Sequence, residues 1–192
     1  MEEMDHWIAE LTSGEDQRAE AAVSNLAALG DEALPALIQL LASAAEDDRW
    51  WATRTLAEIS SPETPMLLLQ AFGDEQVDVR KAAALALRQQ PHPDSIPALV
   101  AALDDEDRIL ARLAGSALAA NGEQATQVLL DVLEKGSHAA QIEALRALAS
   151  IGDKRSIPAL LAAFEKDSSL MEYWANEGLE RMGVGMSFLR PS

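Results

Sequence analysis

A double periodicity of about 31 residues runs through almost the whole chain and constrains its fold more than any other feature. One column contains leucines separated by 31, 31, 30 and 31 residues: Leu37, Leu68, Leu99, Leu129 and Leu160. A second column contains alanines separated by 30, 31, 31, 30 and 31 residues: Ala22, Ala52, Ala83, Ala114, Ala144 and Ala175. Because the two columns stay in step over five units, the sequence encodes a repeated structural unit.

Each repeat contains two segments with helical spacing. In the first segment an alanine, a leucine four residues later and usually an apolar residue three further on share one helix face, as in Ala144, Leu148 and Ile151. Prolines at the start of the second segment suit the first turn of a helix, where a missing N–H costs little: Pro35, Pro97 and Pro158. Each repeat is therefore predicted to be a pair of helices.

One helix pair cannot bury its apolar face alone, so successive pairs are expected to stack. The predicted fold is an all-α, right-handed α-solenoid (a superhelix) of about five to six helix pairs, forming a single domain over residues 1–192. Residues 1–13 form an N-terminal capping helix, and residues 14–182 form the repeats, of which 168–182 supply a first helix without a second. The apolar tail 183–192 is expected to cover the open end of the core or to mediate self-association.

One stretch of the repeats carries a family motif: Val79-Arg80-x-x-Ala83-x-x-x-Leu87 and, about ten residues later, Pro97-Ala98-Leu99. This motif resembles a HEAT-like repeat, and its length is similar to that of the short bacterial form named after phycobilisome lyases. The resemblance covers nearly the whole chain. It implies a ladder of Asp–Arg contacts between repeats, with Asp74 and Arg80 in the matching positions. Because Ala111 and Gln141 replace the arginine in later repeats, the ladder is expected to stop midway.

The charge balance excludes several classes of partner. The chain has 15 Lys and Arg against 32 Asp and Glu, a net charge of −17, so nucleic acids and anionic membrane surfaces are not expected to bind. With 48% hydrophobic residues the chain is predicted to fold, and with no cysteine it can form neither disulfides nor thiolate metal sites. The first residues lack the basic and apolar segments of a targeting signal, so we expect a cytoplasmic protein.

No group of residues predicts catalysis. The three histidines, His6, His92 and His138, lack the spacing that would place two of them on one helix face as metal ligands. The acidic run 104–107 lacks the alternating ligands and central glycine of a calcium loop, and its position before a helix favours helix capping. We therefore expect no enzymatic activity, no catalytic residue, no metal and no cofactor.

The second helices are expected to line the concave surface, which is the usual ligand face of a solenoid. Their core positions are assigned to Leu37, Ile38 and Leu41 and their equivalents. The candidate partner-binding residues lie on the exposed ridge beside them: Gln39, Gln70, Asp104, Asp131, Glu134 and Glu165. Such a ridge predicts a groove for a helix or a basic segment of a partner protein, and a solvated acidic face that only aids solubility fits the same pattern.

Aromatic residues add one further candidate. Trp50 and Trp51 are adjacent on one helix and cannot both face the same core, so Trp50 is predicted to lie on the outer face and to contact a partner. Trp51 and Trp174 are expected to pack between neighbouring helices.

Two functions fit these features. The first is a non-enzymatic protein–protein interaction scaffold or adaptor that binds its partner on the concave face. The family resemblance implies a second, a component of a bilin lyase or a chaperone-like protein that handles chromophores. The propionates of a bilin are anions that Arg or Lys usually binds. Because the predicted ridge is neutral or acidic, the scaffold function is favoured.

Overall fold

The computed structural model describes residues 2–164, 166 and 168–184. These residues form no strand, and their α-helices follow in chain order: α1 (Glu2–Leu11), α2 (Asp16–Leu29), α3 (Leu34–Leu41), α4 (Glu46–Leu56), α5 (Thr64–Phe72), α6 (Val77–Gln89), α7 (Ile96–Ala101), α8 (Arg108–Ala120), α9 (Thr126–Lys135), α10 (His138–Ile151), α11 (Ile157–Ala163) and α12 (Ser169–Arg181). The even-numbered helices are the first helices of the repeats, and α3, α5, α7, α9 and α11 are the second helices.

By their contacts the described residues divide into two compact units, unit 1 up to Ser95 and unit 2 from Ile96. In unit 1 the first helices stack, α2 on α4 and α4 on α6, while α3 and α5 pack against α4 and α6. In unit 2, α8 stacks on α10 and α10 on α12, while α9 and α11 pack against α10 and α12. This stacking of helix pairs confirms the predicted all-α solenoid class. The assignment of residues 1–192 to a single domain stays a prediction.

The two columns of the sequence form the core. Every leucine of the first column and every alanine of the second has no exposed surface. The small alanines let neighbouring first helices approach closely, and the leucines of the second helices fill the space beneath them. Both columns are therefore confirmed as core positions.

One assignment to the core was wrong. Ile38 is 39% exposed, although Leu37 and Leu41 beside it are buried. A step of one residue turns a side chain by about 100° around the helix, which moves Ile38 from the buried face to the flank. Its equivalents are half-buried rather than core residues: Leu69, Val100, Leu130 and Leu161.

The turn inside a repeat is a short 3-10 helix in four repeats: Gly30–Ala33, Pro93–Ser95, Gly122–Ala125 and Lys154–Ser156. Gly152 ends α10 with φ 71°, a left-handed conformation that favours glycine. The next residue, Asp153, accepts hydrogen bonds from the backbone N–H of Arg155 at 2.9 Å and from its Nε at 2.7 Å. Hydrogen bonds from Arg155 lower the pKa of the Asp153 carboxyl to about 2.

The acidic run 104–107 caps a helix, as predicted. One carboxylate oxygen of Asp107 accepts the backbone N–H groups of Ile109 and Leu110, both at 2.9 Å, at the start of α8. Asp105 accepts the backbone N–H of Asp107 at 2.8 Å. The cluster therefore satisfies N–H groups that a helix start leaves without partners.

The ladder between repeats includes a contact of Asp74. The carboxylate of Asp74 binds Arg49 of the preceding repeat, with Nε and Nη2 at 2.7 and 3.0 Å from its two oxygens. Arg80 donates to the backbone carbonyls of Asp74 and Glu75, both at 3.1 Å. In unit 2, Gln141 stands at the arginine position and donates to the carbonyl of Leu133 at 3.0 Å. Asp74 therefore takes part in a contact between repeats, as the resemblance implied, and the guanidinium that its two carboxylate oxygens bind is that of Arg49.

Helices α1 and α12 are the terminal helices of the described residues. The capping helix α1 packs against α2, and Leu11 at its end is fully buried. At the other end α12 packs against α10 and α11, and Gly183 follows it with φ 77°. Residues 185–192 of the tail lie outside the described part of the chain, so the expected role of the tail 183–192 stays a prediction.

Candidate interaction surfaces

The described residues include no group of three or more side chains that could hold a metal ion, and none of their helices is long and apolar enough to cross a membrane. His6 and His138 are exposed, and the Nδ1 atom of His92 accepts the backbone N–H of Asp94 at 3.3 Å. The candidate sites that follow are surfaces of the helices.

The predicted ridge residues that the structure describes are exposed in both units. Gln39 on α3 and Gln70 on α5 belong to unit 1. Asp131 and Glu134 lie one turn apart on α9 in unit 2, and Asp104 accepts a hydrogen bond from the hydroxyl of Ser137, two residues after the end of α9. Glu165 lies outside the described residues.

Unit 2 has a groove beside this ridge. It has a volume of about 310 Å³ and lies between α9 and α11, with Leu130, Ala159 and Ala162 among its apolar lining residues. Glu134 forms part of its wall, and Lys166 is the cation of the described lining. The groove could receive an apolar side chain while the carboxylates on α9 contact cations next to it. We call this feature the α9–α11 groove.

Trp50 lies on α4, one of the first helices. It is half-buried and forms a ridge between two grooves of unit 1. The α4–α6 groove has a volume of about 590 Å³ and contains Leu85, a residue that is 44% exposed. The α2–α4 groove has a volume of about 670 Å³ and contains Trp51 as well as Trp50.

The two tryptophans meet edge to face, with ring centroids 4.8 Å apart. The same positions in α12 hold Tyr173 and Trp174, whose centroids are 5.0 Å apart at nearly the same angle. The guanidinium of Arg146, on the neighbouring α10, lies over the ring of Trp174 at 5.0 Å from the ring centroid. This contact confirms that Trp174 packs between helices. Trp51 lines an open groove instead, so its predicted packing between helices holds only for part of its surface.

A family model for HEAT repeats matches the chain at residues 4–88, 34–119, 64–139 and 96–180. Together these matches cover most of the chain. The protein belongs to the HEAT repeat family. This finding agrees with the resemblance drawn from the sequence and with the stacked helix pairs of both units.

Solved structures show the same fold. The CpcE–CpcF complex of phycocyanin lyase from Nostoc sp. PCC7120 is 22% identical, with a TM-score of 0.60 over 75% of this chain and 96% of that one. A designed armadillo repeat protein is 21% identical, with a TM-score of 0.53 over 94% and 100%. Computationally designed armadillo repeat proteins for modular peptide recognition are 20% identical, with a TM-score of 0.54 over 93% and 99%. At these identities the likeness concerns the fold alone, and a search of the curated proteins returns no match.

The repeat pattern led to the ridge and to an expected groove on the second helices, but not to the grooves between the first helices. The Trp50–Trp51 dipeptide was the available signal, since two adjacent indoles leave at least one outside the core. Two of the acidic residues that share the α2–α4 groove with them lie at the starts of helices, Asp16 in α2 and Asp47 in α4. Those positions are 31 residues apart, one repeat length, so the periodicity could have identified them.

Proposed function

We propose that this HEAT repeat protein is a non-enzymatic scaffold that holds a partner protein through the surface of its second helices. The observation that carries the proposal is the pairing of an apolar groove with exposed carboxylates in unit 2, where the α9–α11 groove lies beside Asp131 and Glu134. A partner of complementary chemistry is a basic segment, of which an apolar side chain enters the groove while neighbouring cations meet the carboxylates.

The internal contacts of the carboxylates leave them available for such a partner. Asp131 accepts a hydrogen bond from the amide of Gln127 at 3.1 Å, and Glu134 lies 3.7 Å from the exposed ammonium of Lys135. Both contacts are on the surface, where ion pairs are weak and easily exchanged. Gln39 and Gln70 are proposed as the corresponding polar contacts on unit 1, and Asp104 as a further acidic contact on unit 2.

The test compares a groove variant with a charge-matched control. A protein captured from the native organism would be purified and titrated against the wild type, against Asp131→Asn/Glu134→Gln, and against Glu106→Gln/Glu172→Gln. All four carboxylates are exposed, and the control pair does not line the groove. The groove variant is expected to bind about tenfold more weakly, with a smaller dependence on salt, and the control to bind as the wild type does. Equal losses in the two variants would refute a specific role for this surface.

A component of a bilin lyase, or a chaperone-like protein that handles chromophores, is the second candidate. The fold that this chain shares with the CpcE–CpcF complex favours it. The acidic ridge opposes it, because bilin propionates are anions. Mixing the protein with phycocyanobilin and recording the visible spectrum separates the two candidates. A saturable red shift would support the lyase-related function and contradict the pure scaffold, whereas an unchanged spectrum would favour the scaffold.

A further inference from the structure

The α2–α4 groove combines indole rings with carboxylates. Its aromatic lining consists of Trp50 and Trp51, and its acidic lining consists of Asp16, Glu20, Asp47 and Asp48. No lysine or arginine is among its described lining residues. Indole faces and carboxylates both attract cations, so this composition suits a positively charged side chain.

Two of the four carboxylates already have partners. Arg54 reaches Glu20 from α4 at 3.0 Å, and Asp48 accepts the hydroxyl of Ser43 at 2.7 Å. Asp16 and Asp47 are exposed, and in the described part of the chain neither forms an ion pair. The groove therefore keeps two carboxylates and an indole pair available for a cation from outside.

A related arrangement occurs at α12, where the cation comes from the chain itself. In α12 the matching aromatic pair has Arg146 over Trp174, and the same arginine lies 3.6 Å from the carboxylate of Glu143. Arg146 stands two residues after the column alanine Ala144, and the corresponding residue of α2 is Ser24, which is exposed. Unit 1 thus has the equivalent aromatic pair with a serine at the position of Arg146, and its carboxylates come from other positions, of which Glu20 is paired with Arg54.

We propose that the α2–α4 groove binds an arginine side chain from a basic segment of a partner protein, with the guanidinium against the indoles and beside Asp16 and Asp47. Arginine is preferred to lysine because its planar, weakly hydrated guanidinium stacks on an aromatic face and pairs with carboxylates at the same time. This site is on the first helices of unit 1, so it does not depend on the second-helix surface of the proposed function.

The test uses three blocked alanine peptides that differ at one central position, which holds arginine, lysine or the neutral isostere citrulline. Binding is followed through the indole N–H signals of the four tryptophans, assigned with single Trp→Phe variants. The arginine peptide is expected to shift the signals of Trp50 and Trp51 saturably and to leave that of Trp174 unchanged. The lysine peptide is expected to bind more weakly, and the citrulline peptide to cause no shift.

Variants then separate the groove from general charge effects. Asp16→Asn and Asp47→Asn are each expected to lower the affinity for the arginine peptide about threefold. Glu172→Gln removes an exposed carboxylate of α12 and is expected to leave this affinity unchanged. Ser24→Arg places a guanidinium at the position of Arg146 and is expected to abolish binding while the protein stays folded. Asp131→Asn/Glu134→Gln is expected to bind the peptide as the wild type does.

Three results would overturn the proposal. Citrulline and arginine peptides that bind equally would exclude recognition of the cation. Shifts of Trp174 as large as those of Trp50 and Trp51 would exclude a specific site. Full binding by a folded Ser24→Arg variant would show that the guanidinium does not bind where the internal counterpart places it.

Discussion

The two units build the same helix pair with different contacts between successive repeats. In unit 1 a buried ion pair connects them, with the side chains of Arg49 and Asp74 only 8% and 10% exposed. In unit 2 the arginine position holds Gln141, and α12 approaches α10 so closely that a Cβ added to Gly178 would lie 3.0 Å from the Cα of Ala149. Charge pairing and close packing of small residues thus meet the same requirement, which is to fix one repeat against the next.

The contacts of Arg49 show what the arginine position does in unit 1. The guanidinium of Arg49 satisfies Asp74 and two backbone carbonyls, those of Ser43 at 3.0 Å and Ala44 at 3.3 Å. Hydrogen bonds from Arg49 hold the pKa of the Asp74 carboxyl below its ordinary value. Such a network is favourable only when it is complete, because a buried charge without its partner is costly. At the arginine position of α10, the uncharged amide of Gln141 donates to the carbonyl of Leu133 and makes no such network with a carboxylate necessary.

The largest expected effect comes from replacing Arg49 of unit 1 with glutamine, the residue that unit 2 has at the equivalent position 141. Arg49→Gln leaves the buried carboxylate of Asp74 without its counter-ion, and it should lower the Tm by on the order of 10 °C. Thermal unfolding followed by circular dichroism measures the change. The double variant Arg49→Gln/Asp74→Asn removes the stranded charge and should recover part of the loss. Equal destabilisation of the single and double variants would show that the ion pair does not fix the repeats.

The second largest effect is expected when Gly178 of unit 2 receives the side chain that unit 1 has at the equivalent position. Thr55 of α4 stands at the position of Gly178, three residues after the column alanine, and its hydroxyl donates to the carbonyl of Trp51 at 2.8 Å. Gly178→Thr should cost about 2 kcal/mol of unfolding free energy, because its Cβ would press on Ala149 and on Leu160, whose Cδ1 is also 3.0 Å away. Urea denaturation measures it.

Gly178→Ala is the graded control for that exchange. It adds one methyl group and gains helix propensity, so its cost should be smaller. A Gly178→Thr variant as stable as the wild type would mean that α10 and α12 can separate without loss.

The sequence predicted the repeat columns because each column depends only on local helical spacing. The position of Ile38 was misassigned because one residue on a helix separates core from flank, and the column pattern alone does not decide which neighbour is buried. The Arg49–Asp74 pair joins residues 25 apart, and its geometry depends on how far the next inter-repeat turn extends. The grooves depend on the spacing of adjacent helices, which no local pattern determines.

A third, smaller effect concerns the helix starts. Ser137 caps α10 by accepting the backbone N–H of Ala140 at 3.2 Å, whereas Ala45 at the same position of α4 has no side-chain cap. Ser137→Ala should cost about 1 kcal/mol, and Ala45→Ser should gain up to a similar amount, since Ala45 already has the extended backbone of a cap residue. Urea denaturation of both variants measures the effects. An Ala45→Ser variant without any gain would show that the start of α4 is satisfied in another way.

The smallest effect is a pH dependence that differs between the units. The pKa of Asp153 in unit 2 is about 2, below its ordinary 3.8, so its carboxylate stabilises the folded protein above about pH 4 and loses that contribution as the pH falls towards 2. Its partner Arg155 is 57% exposed, so solvent and salt weaken this contribution, whereas Asp74 pairs with a buried arginine. The urea midpoint of the wild type should fall between about pH 6 and pH 3. This fall should be slightly smaller in Asp153→Asn and clearly smaller in Asp74→Asn. A steeper acid loss in either variant than in the wild type would contradict the sign, because an asparagine has no proton to take up in the unfolded state.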